Sequence, residues 1–266
     1  MKSLCYVSVR IEESGMDRFL VEPSKLGKPV IGVWNSVADS WIAEAIATLG
    51  PDYVCVDMQH GATDISQLVG QFQGIVAGGS IPIARVPECS PAIIMKTLDA
   101  GARGVIIPLI ESGEEARLAV SACLFPPVGQ RSFGPFRAGV VHGSREPSML
   151  EEVACIVQVE TRAGVENLEE IVGTDGVTAV YIGPSDLSLA LGLPPNSIDS
   201  PEFISVIDRI REVCDNHKVV AGIHCYDGND ARRMIERGFG MVTVAVDLMA
   251  FRRALGIELD RARGIS

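Results

Sequence analysis

A repeated unit constrains the fold of this chain more than any other feature of its sequence. A short apolar run rich in β-branched residues is followed by a turn and then by a longer amphipathic stretch, and this unit occurs eight times. Most of the runs are apolar almost throughout, as in strands that are buried on both faces. The predicted strands are residues 29–33, 53–57, 82–86, 104–108, 155–159, 179–182, 219–223 and 241–245.

Strands that alternate with helices through short connections pair in parallel, with right-handed crossovers. Eight such units close most simply into a (β/α)8 TIM barrel of the α/β class, and the 266 residues are close to the roughly 250 that are typical of this fold. We therefore predict a single domain, with residues 1–28 as an N-terminal arm and residues 29–266 as the barrel. A doubly wound open sheet is the alternative, but no GxGxxG fingerprint follows the first strand.

The stretch between the first two strands shows how the helices are expected to pack. Ile42, Ala45, Ile46 and Leu49 recur at helical spacing within this stretch, and Gly50 follows as a stop signal. We expect these four apolar side chains to share one face of a helix.

Charge and cysteine content narrow the classes of partner. A formal net charge of -11 argues against binding to nucleic acid or to anionic membranes, because both rely on clustered Lys and Arg. No apolar stretch reaches the roughly 18 uncharged residues of a membrane span. The seven cysteines form no CxxC pair, and several lie in apolar runs where cysteine packs as a small hydrophobe. We expect a cytoplasmic protein that acts on small molecules.

Polar side chains follow most of the predicted strands, at the rim where a barrel of this kind keeps its active site. The carboxyl ends of the strands are where side chains from different strands can meet around one substrate. The residues at these positions are Trp34, Asn35, Asp57, Gln59, His60, Arg85, Gln158, Glu160, Asp186, His224 and Asp247.

Glu160 and Asp186 suggest a metal site. Both offer hard oxygen ligands, and no Cys or paired His lies near them in the sequence, so Mg²⁺ or Mn²⁺ is expected, with Co²⁺ as a further option. Two alternatives remain open: Glu160 as an ion-pair partner of Arg162, and Asp186 as the N-cap of a helix that begins at Leu187. Backbone N–H groups of the segment that begins at Gly183 offer, in addition, a site for a carboxylate.

Arg85 is a candidate for binding negative charge, and His60 is a candidate for transferring protons. An Arg inside an apolar strand needs an anionic partner, since burying it unpaired is costly. The partner is either Asp57 or Glu160, in a structural salt bridge, or an oxyanion of the substrate, which Arg would clamp. His60 follows Asp57 by three residues, so that carboxylate could orient it as a general base; the alternative is a solvated loop histidine.

The longest irregular segment, residues 126–147, contains two further arginines. Arg131 and Arg137 could neutralise a distal anionic group of the substrate, or they could anchor the loop through salt bridges. Lysine-imine chemistry is disfavoured, because Lys96 falls in a predicted helix and Lys218 precedes its strand.

Four segments together resemble one family. Residues 56–61 (VDMQHG), 82–85 (PIAR), 157–162 (VQVETR) and 182–188 (IGPSDLS) are similar to motifs of the metal-dependent pyruvate aldolases in the HpcH/HpaI aldolase and citrate lyase superfamily. The resemblance covers residues 29–250. It implies that Glu160 and Asp186 hold the divalent metal.

The resemblance also implies roles for the other strand-end residues. Arg85 would contact the keto or enolate oxygen of pyruvate, and His60 with Asp57 would move protons. Gln158 would line the pyruvate pocket, and the backbone amides of Ser185 and Asp186 would receive the pyruvate carboxylate. The full set of predicted substrate-binding residues is Gln158, Gly183, Ser185, Trp34 and Arg131.

The activity implied is a class II aldolase that cleaves or forms 4-hydroxy-2-oxo acids through a metal-bound pyruvate enolate, with pyruvate and an aldehyde as partners. A homo-oligomer is expected, with a hexamer as the usual state, as is a role in aromatic compound catabolism. The sequence departs from the family at Gln59, where a glutamate is common, and in the loop of residues 129–143. An acyl-CoA lyase of the citryl- or malyl-CoA type and a non-catalytic barrel that binds a keto acid are the alternatives.

Overall fold

The computed structural model describes Leu20 and residues 27–265, so most of the predicted N-terminal arm, residues 1–28, lies outside the described residues. Eight parallel strands form a closed barrel in chain order. The prediction of a (β/α)8 barrel is therefore confirmed, and the open sheet is wrong. The strands are β1 (Val30–Asn35), β2 (Tyr53–Asp57), β3 (Ile81–Arg85), β4 (Gly104–Ile107), β5 (Ala154–Val159), β6 (Ala179–Ile182), β7 (Val220–His224) and β8 (Met241–Val246).

Helices alternate with these strands and cover the outside of the barrel. Longer helices connect most strand pairs, and short helical turns occur in several connections. The helices of the described residues are α1 (Ser40–Ala47), α2 (Leu68–Ala77), α3 (Pro91–Asp99), α4 (Gly113–Cys123), α5 (Phe136–Val141), α6 (Pro147–Leu150), α7 (Arg162–Glu166), α8 (Leu168–Val172), α9 (Pro184–Ala190), α10 (Pro201–His217), α11 (Gly228–Glu236) and α12 (Asp247–Arg263).

The interior of the barrel is filled by alternate residues of each strand, because successive side chains of a strand point to opposite faces. Two large rings occupy the centre: Tyr53 on β2 and Tyr181 on β6 are both fully buried. Each ring takes space that a glycine on a neighbouring strand leaves open. A Cβ at Gly32 would overlap the Tyr53 ring, and a Cβ at Gly222 would crowd the Tyr181 ring.

The first and last strands are joined at the rim by one carboxylate. Asp247, the first residue of α12, accepts hydrogen bonds from the backbone N–H groups of Ser36 and Val37 at 3.0 and 3.1 Å and from Asn35 Nδ2 at 2.7 Å. This strand-end acid therefore fastens the barrel seam between β1 and β8, rather than pointing a free carboxylate at a substrate.

The first helix shows a limit of the periodicity argument. Asp39 caps α1 by accepting from the N–H groups of Trp41 and Ile42, so the predicted helix is confirmed. Its buried residues are Ala43, Ile46 and Ala47, whereas Ile42 and Leu49 are exposed. The predicted face is right for Ile46 and wrong for the rest, because Ala43 and Ala47, rather than Ile42 and Leu49, pack between α1 and its neighbours.

The segment of residues 126–147 lies at the rim opposite the strand ends that carry the polar residues, because it leads from α4 into the start of β5. Arg131 is buried there and donates to Asp99 Oδ1 and to the Leu150 carbonyl, both at 2.9 Å. Arg137 donates to the carbonyl of Ala100. These contacts fit the alternative in which the two arginines anchor the loop. Contrary to the prediction from the sequence, Arg131 does not lie against the substrate cavity.

The last helix, α12, is the least covered part of the barrel. None of its residues is buried, and the apolar side chains of Met249, Phe251 and Leu259 are all more than half exposed. No helix among the described residues has the length and apolar character needed to cross a membrane.

We predict that Gly32→Ala destabilises the barrel, since the added methyl group would overlap the ring of Tyr53, which is itself fully buried. Overpacking of this kind costs about 2–3 kcal/mol in the free energy of unfolding. Gly134→Ala is the matched control, because a Cβ there meets nothing within 4 Å. Urea unfolding measures both, and equal stability of the two variants would contradict the packing argument.

Candidate active site

One cavity of about 440 Å³ opens at the carboxyl ends of the strands. Of the residues assigned a catalytic, metal-binding or substrate-binding role, it brings together all except Arg131. The residues around it are Trp34, Ser36, Asp57, His60, Arg85, Gln158, Glu160, Tyr181, Gly183, Pro184, Ser185, Asp186, His224, Tyr226, Val246, Leu248 and Met249.

A buried ion pair lies in the wall of this cavity. Asp57 and Arg85 are register partners on β2 and β3, and both are less than a tenth exposed. Arg85 Nε donates to Asp57 Oδ1 at 2.9 Å and Nη2 donates to Oδ2 at 2.8 Å. This two-point contact is the geometry that a guanidinium and a carboxylate form best, and it fixes the plane of the Arg85 side chain.

The pairing leaves part of the guanidinium for a ligand. Arg85 stacks over the Trp34 ring at 4.3 Å from the ring centroid, and its Nη1 has no hydrogen-bond partner among the described residues. The salt bridge predicted as one alternative is therefore present, and it orients the remaining N–H donors of Arg85 rather than consuming them.

His60 lies at the exposed edge of the cavity. Asp57 Oδ1 accepts from the backbone N–H groups of Gln59 at 3.1 Å and of His60 at 3.4 Å. Within the described residues, no hydrogen bond joins the His60 imidazole to Asp57. The carboxylate thus shapes the turn that carries His60, but it does not orient the ring as the sequence suggested.

Glu160 is almost completely buried directly after β5. Its Oε2 accepts from the Gln158 amide, and its Oε1 accepts from the backbone N–H of Leu109 at 3.1 Å. Burial raises the pKa of Glu160 to about 7, and the nearby charge of Asp186 adds to the rise. A buried carboxylate beside a second carboxylate is an arrangement that a cation stabilises.

Asp186 lies in the first turn of α9, which begins at Pro184 with Gly183 as its N-cap. The prediction of Asp186 as an N-cap is therefore wrong, since the helix starts earlier than the apolar pattern indicated. The other alternative, a Glu160–Arg162 ion pair, is also not observed: Arg162 donates to the Ala190 carbonyl instead.

The two carboxylates fit a hard divalent cation. Within the described part of the chain no group of three or more His, Cys, Asp or Glu side chains could hold a metal, so protein ligands are few. Mg²⁺ commonly binds through one or two carboxylates and keeps its other positions for water and substrate oxygens. Gln158 Oε1 is a further buried oxygen without a hydrogen-bond partner. An all-oxygen, open site of this kind suits Mg²⁺ or Mn²⁺.

Gly183 leaves room for the Glu160 carboxylate to approach the backbone. A Cβ at this position would overlap Glu160 Oε2 and lie within 2.7 Å of Gln158 Nε2. The glycine of the 182–188 motif is therefore required by close packing against Glu160, which sequence reasoning did not identify.

Tyr226 is a cavity residue that the sequence analysis missed. Its hydroxyl donates to Asn196 Oδ1 at 2.8 Å and lies 2.7 Å from Ser185 Oγ. Burial raises the pKa of Tyr226. The available signal was its position two residues after His224, at the end of β7.

The chain is similar to curated aldolases over nearly its whole length. A hydroxypyruvate/pyruvate aldolase from Rhizorhabdus wittichii is 36% identical over 241 residues, which covers 90% of this chain and 96% of that protein. A 2-keto-3-deoxy-L-rhamnonate aldolase from Klebsiella pneumoniae is 36% identical over 256 residues, covering 92% of this chain and 94% of that protein.

Solved structures give the same result. An HpcH/HpaI aldolase/citrate lyase family protein from Burkholderia cenocepacia superposes with a TM-score of 0.84 at 31% identity, over 93% of this chain and 98% of that one. Residues 30–254 match the HpcH/HpaI aldolase/citrate lyase family, and the predicted resemblance is thereby confirmed. The chain belongs to the HpcH/HpaI aldolase/citrate lyase family.

Proposed function

We propose that this protein is a divalent-metal-dependent aldolase that cleaves or forms 4-hydroxy-2-oxo acids, with pyruvate and an aldehyde as its small-molecule partners. One observation carries the proposal: the buried Glu160, next to Asp186, shares a cavity with the oriented guanidinium of Arg85. The similarity to relatives that are named aldolases supports the same reaction class, a carbon–carbon lyase.

Glu160 and Asp186 are the residues that would hold Mg²⁺ or Mn²⁺, with Co²⁺ as a substitute. When bound, such an ion supplies Lewis-acid polarisation of a 2-oxo acid, a contribution of several kcal/mol to lowering the barrier. Gln158 holds the Glu160 carboxylate in place from one side, and the Leu109 N–H holds it from the other.

Arg85 stabilises negative charge that develops on the substrate oxygen when the carbon–carbon bond breaks. Its plane is fixed by Asp57 and Trp34 before any substrate arrives, so little reorganisation is needed during the reaction. Preorganised charge of this kind is often the largest single contribution to catalysis.

His60 is the proposed proton carrier. It lies at the open edge of the cavity, where it can exchange protons with solvent and reach a hydroxyl group of the substrate. Trp34, Ser185 and Gly183 complete the walls that exclude water from the reacting carbon atoms.

An acyl-CoA lyase is less well supported. Phosphate groups of CoA need cationic side chains, and among the described residues that line this cavity the only Arg or Lys is Arg85, which the proposed reaction already uses. A role in the catabolism of aromatic compounds, in the cytoplasm, is proposed from the family resemblance.

Metal removal tests the proposal. We expect EDTA to abolish the exchange of the pyruvate methyl protons with deuterium, as measured by NMR. Added Mg²⁺ or Mn²⁺ should restore it. Glu160→Gln should lower exchange by roughly 10²–10³-fold, as the loss of several kcal/mol implies. Full exchange in the chelated protein would refute the metal requirement, and no exchange with any of these ions would favour a binding protein.

Gly183→Ala tests the close approach at the metal ligand. The added methyl group must displace the Glu160 carboxylate, so we expect Mn²⁺ affinity, measured by EPR titration, to fall by about 10–100-fold. Gly228→Ala, where a Cβ meets nothing within 4 Å, is the control. Unchanged Mn²⁺ binding in Gly183→Ala would show that the carboxylate does not need this space.

We infer that further copies of the chain cover the exposed apolar side chains of α12, including Leu248 and Phe251, in a homo-oligomer. A hexamer is the expected state. Sedimentation velocity should then give a mass roughly six times 28.4 kDa, and Phe251→Lys should reduce it. A monomer at micromolar concentration would contradict the inference.

A further inference from the structure

A chain of hydroxyl groups runs through the barrel interior and ends at an imidazole in the cavity. The hydroxyl of Tyr53 lies 3.1 Å from the Val242 carbonyl and 3.1 Å from Thr243 Oγ1. The hydroxyl of Tyr181 lies 2.6 Å from Thr243 Oγ1 and 3.4 Å from Nδ1 of His224. The two tyrosines and the threonine are completely buried, so water does not compete for these contacts.

The direction of every hydrogen bond in this series of hydroxyl groups follows from the acceptor at one end, the Val242 carbonyl. A backbone carbonyl can only accept, so Tyr53 gives its single hydroxyl proton to Val242. Thr243 must then donate to Tyr53, and Tyr181 must donate to Thr243. Because Tyr181 has then used its own proton, its contact with His224 can only be a hydrogen bond from Nδ1–H of His224 to the Tyr181 oxygen. A neutral imidazole that carries its proton on Nδ1 has a lone pair on Nε2.

The imidazole presents that lone pair to the cavity. His224 is partly exposed and lines the cavity, and Nε2 has no hydrogen-bond partner among the described residues. The ring is held edge-on between Trp34 and Tyr226, with centroid distances of 4.8 and 5.0 Å. These ring contacts and the Tyr181 hydrogen bond therefore favour one orientation and one tautomer before a ligand binds.

The charge state supports an acceptor role. Burial, together with the positive charge of Arg85, lowers the pKa of His224 to about 3. The imidazole is therefore neutral at the pH values at which enzymes work, and it is too weak a base to take a proton fully. It can still accept a hydrogen bond.

We propose that His224 is a specificity-determining residue whose Nε2 accepts a hydrogen bond from a hydroxyl group that the substrate carries beside its carbonyl carbon. Trp34 and Tyr226 pack their rings against the imidazole and donate no hydrogen bond to it, so a substrate alkyl group in the same place would leave the Nε2 lone pair unpaired. A site built to pair with a hydroxyl group discriminates against the analogue that lacks it.

This inference rests on the proposed aldolase function, in which the hydroxyl group can belong to either partner. Two pairs of substrates of equal size separate the sources. Glycolaldehyde against propanal, each with pyruvate, tests the aldehyde; hydroxypyruvate against 2-oxobutanoate, each with propanal, tests the 2-oxo acid. In each pair a hydroxyl group replaces a methyl group.

We expect the wild type to prefer the hydroxylated member of one pair. His224→Leu has a side chain of similar volume and no acceptor, so it should lose that preference. The expected loss is roughly tenfold in kcat/KM, the range of one neutral hydrogen bond. His224→Gln, whose side chain keeps an acceptor, should recover part of it. The pair that responds identifies which partner carries the hydroxyl group. The same preference in His224→Leu as in the wild type, for both pairs, would overturn the proposal.

A measurement without substrate tests the tautomer itself. Long-range ¹⁵N–¹H correlation spectra distinguish the two neutral forms, and the protein has only four histidines, so His224→Leu assigns the signal by its disappearance. We expect the Nδ1–H form in the wild type and a mixture of forms in Tyr181→Phe, which lacks the oxygen that receives this proton. Tyr226→Phe, which touches the ring but not Nδ1, should keep the wild-type signal.

The Nε2–H form in the wild type would overturn the inference whatever the kinetics show. Failure of the proposed function gives a different result, because then pyruvate exchanges no methyl protons with any metal while the tautomer signal is unaffected.

Discussion

Every second side chain of each strand must fit inside a barrel of fixed volume, and the active site depends on how this chain meets that constraint. Tyr53 and Tyr181 fill the centre because Gly32 and Gly222 leave room for their rings. Tyr181 also lines the cavity, so the same packing that fills the barrel interior limits how deep a substrate can enter. His224 is then connected to this core through hydroxyl groups rather than through solvent.

The second constraint is that buried charges need partners, and here it produces two different environments. Arg85 and Asp57 satisfy each other on adjacent strands and form a rigid donor. Glu160 has hydrogen-bond donors but forms no ion pair with an Arg or Lys of the described residues, and burial raises its pKa to about 7. The Asp57 carboxylate is therefore paired within the protein, while Glu160 and Asp186 are the pair that we propose binds a cation. That contrast separates the structural role of Asp57 from the proposed ligand role of Glu160 more clearly than their positions in the sequence do.

The remaining functional candidates lie at two opposite rims of the barrel. Residues that follow strands, such as His60 and Asp186, face one cavity, whereas the loop of residues 126–147 precedes β5 and lies at the other end. Its arginines therefore cannot reach the substrate of the same chain, although their type and number suggested an anion site. Asp247 follows a strand as well, yet it is used to close the seam between β1 and β8.

The sequence by itself determined the eight-unit barrel and the set of strand-end residues, because periodicity and strand position depend only on local order along the chain. It also determined the family, through four motifs at specific spacing. Only the tertiary structure decided which partners those residues have: that Asp57 binds Arg85 instead of the His60 ring, that Gly183 makes room for Glu160, and that α1 buries alanines. These outcomes depend on distances between residues far apart in the chain, and hydrogen bonds and packing contacts are too short-ranged for sequence order to specify them.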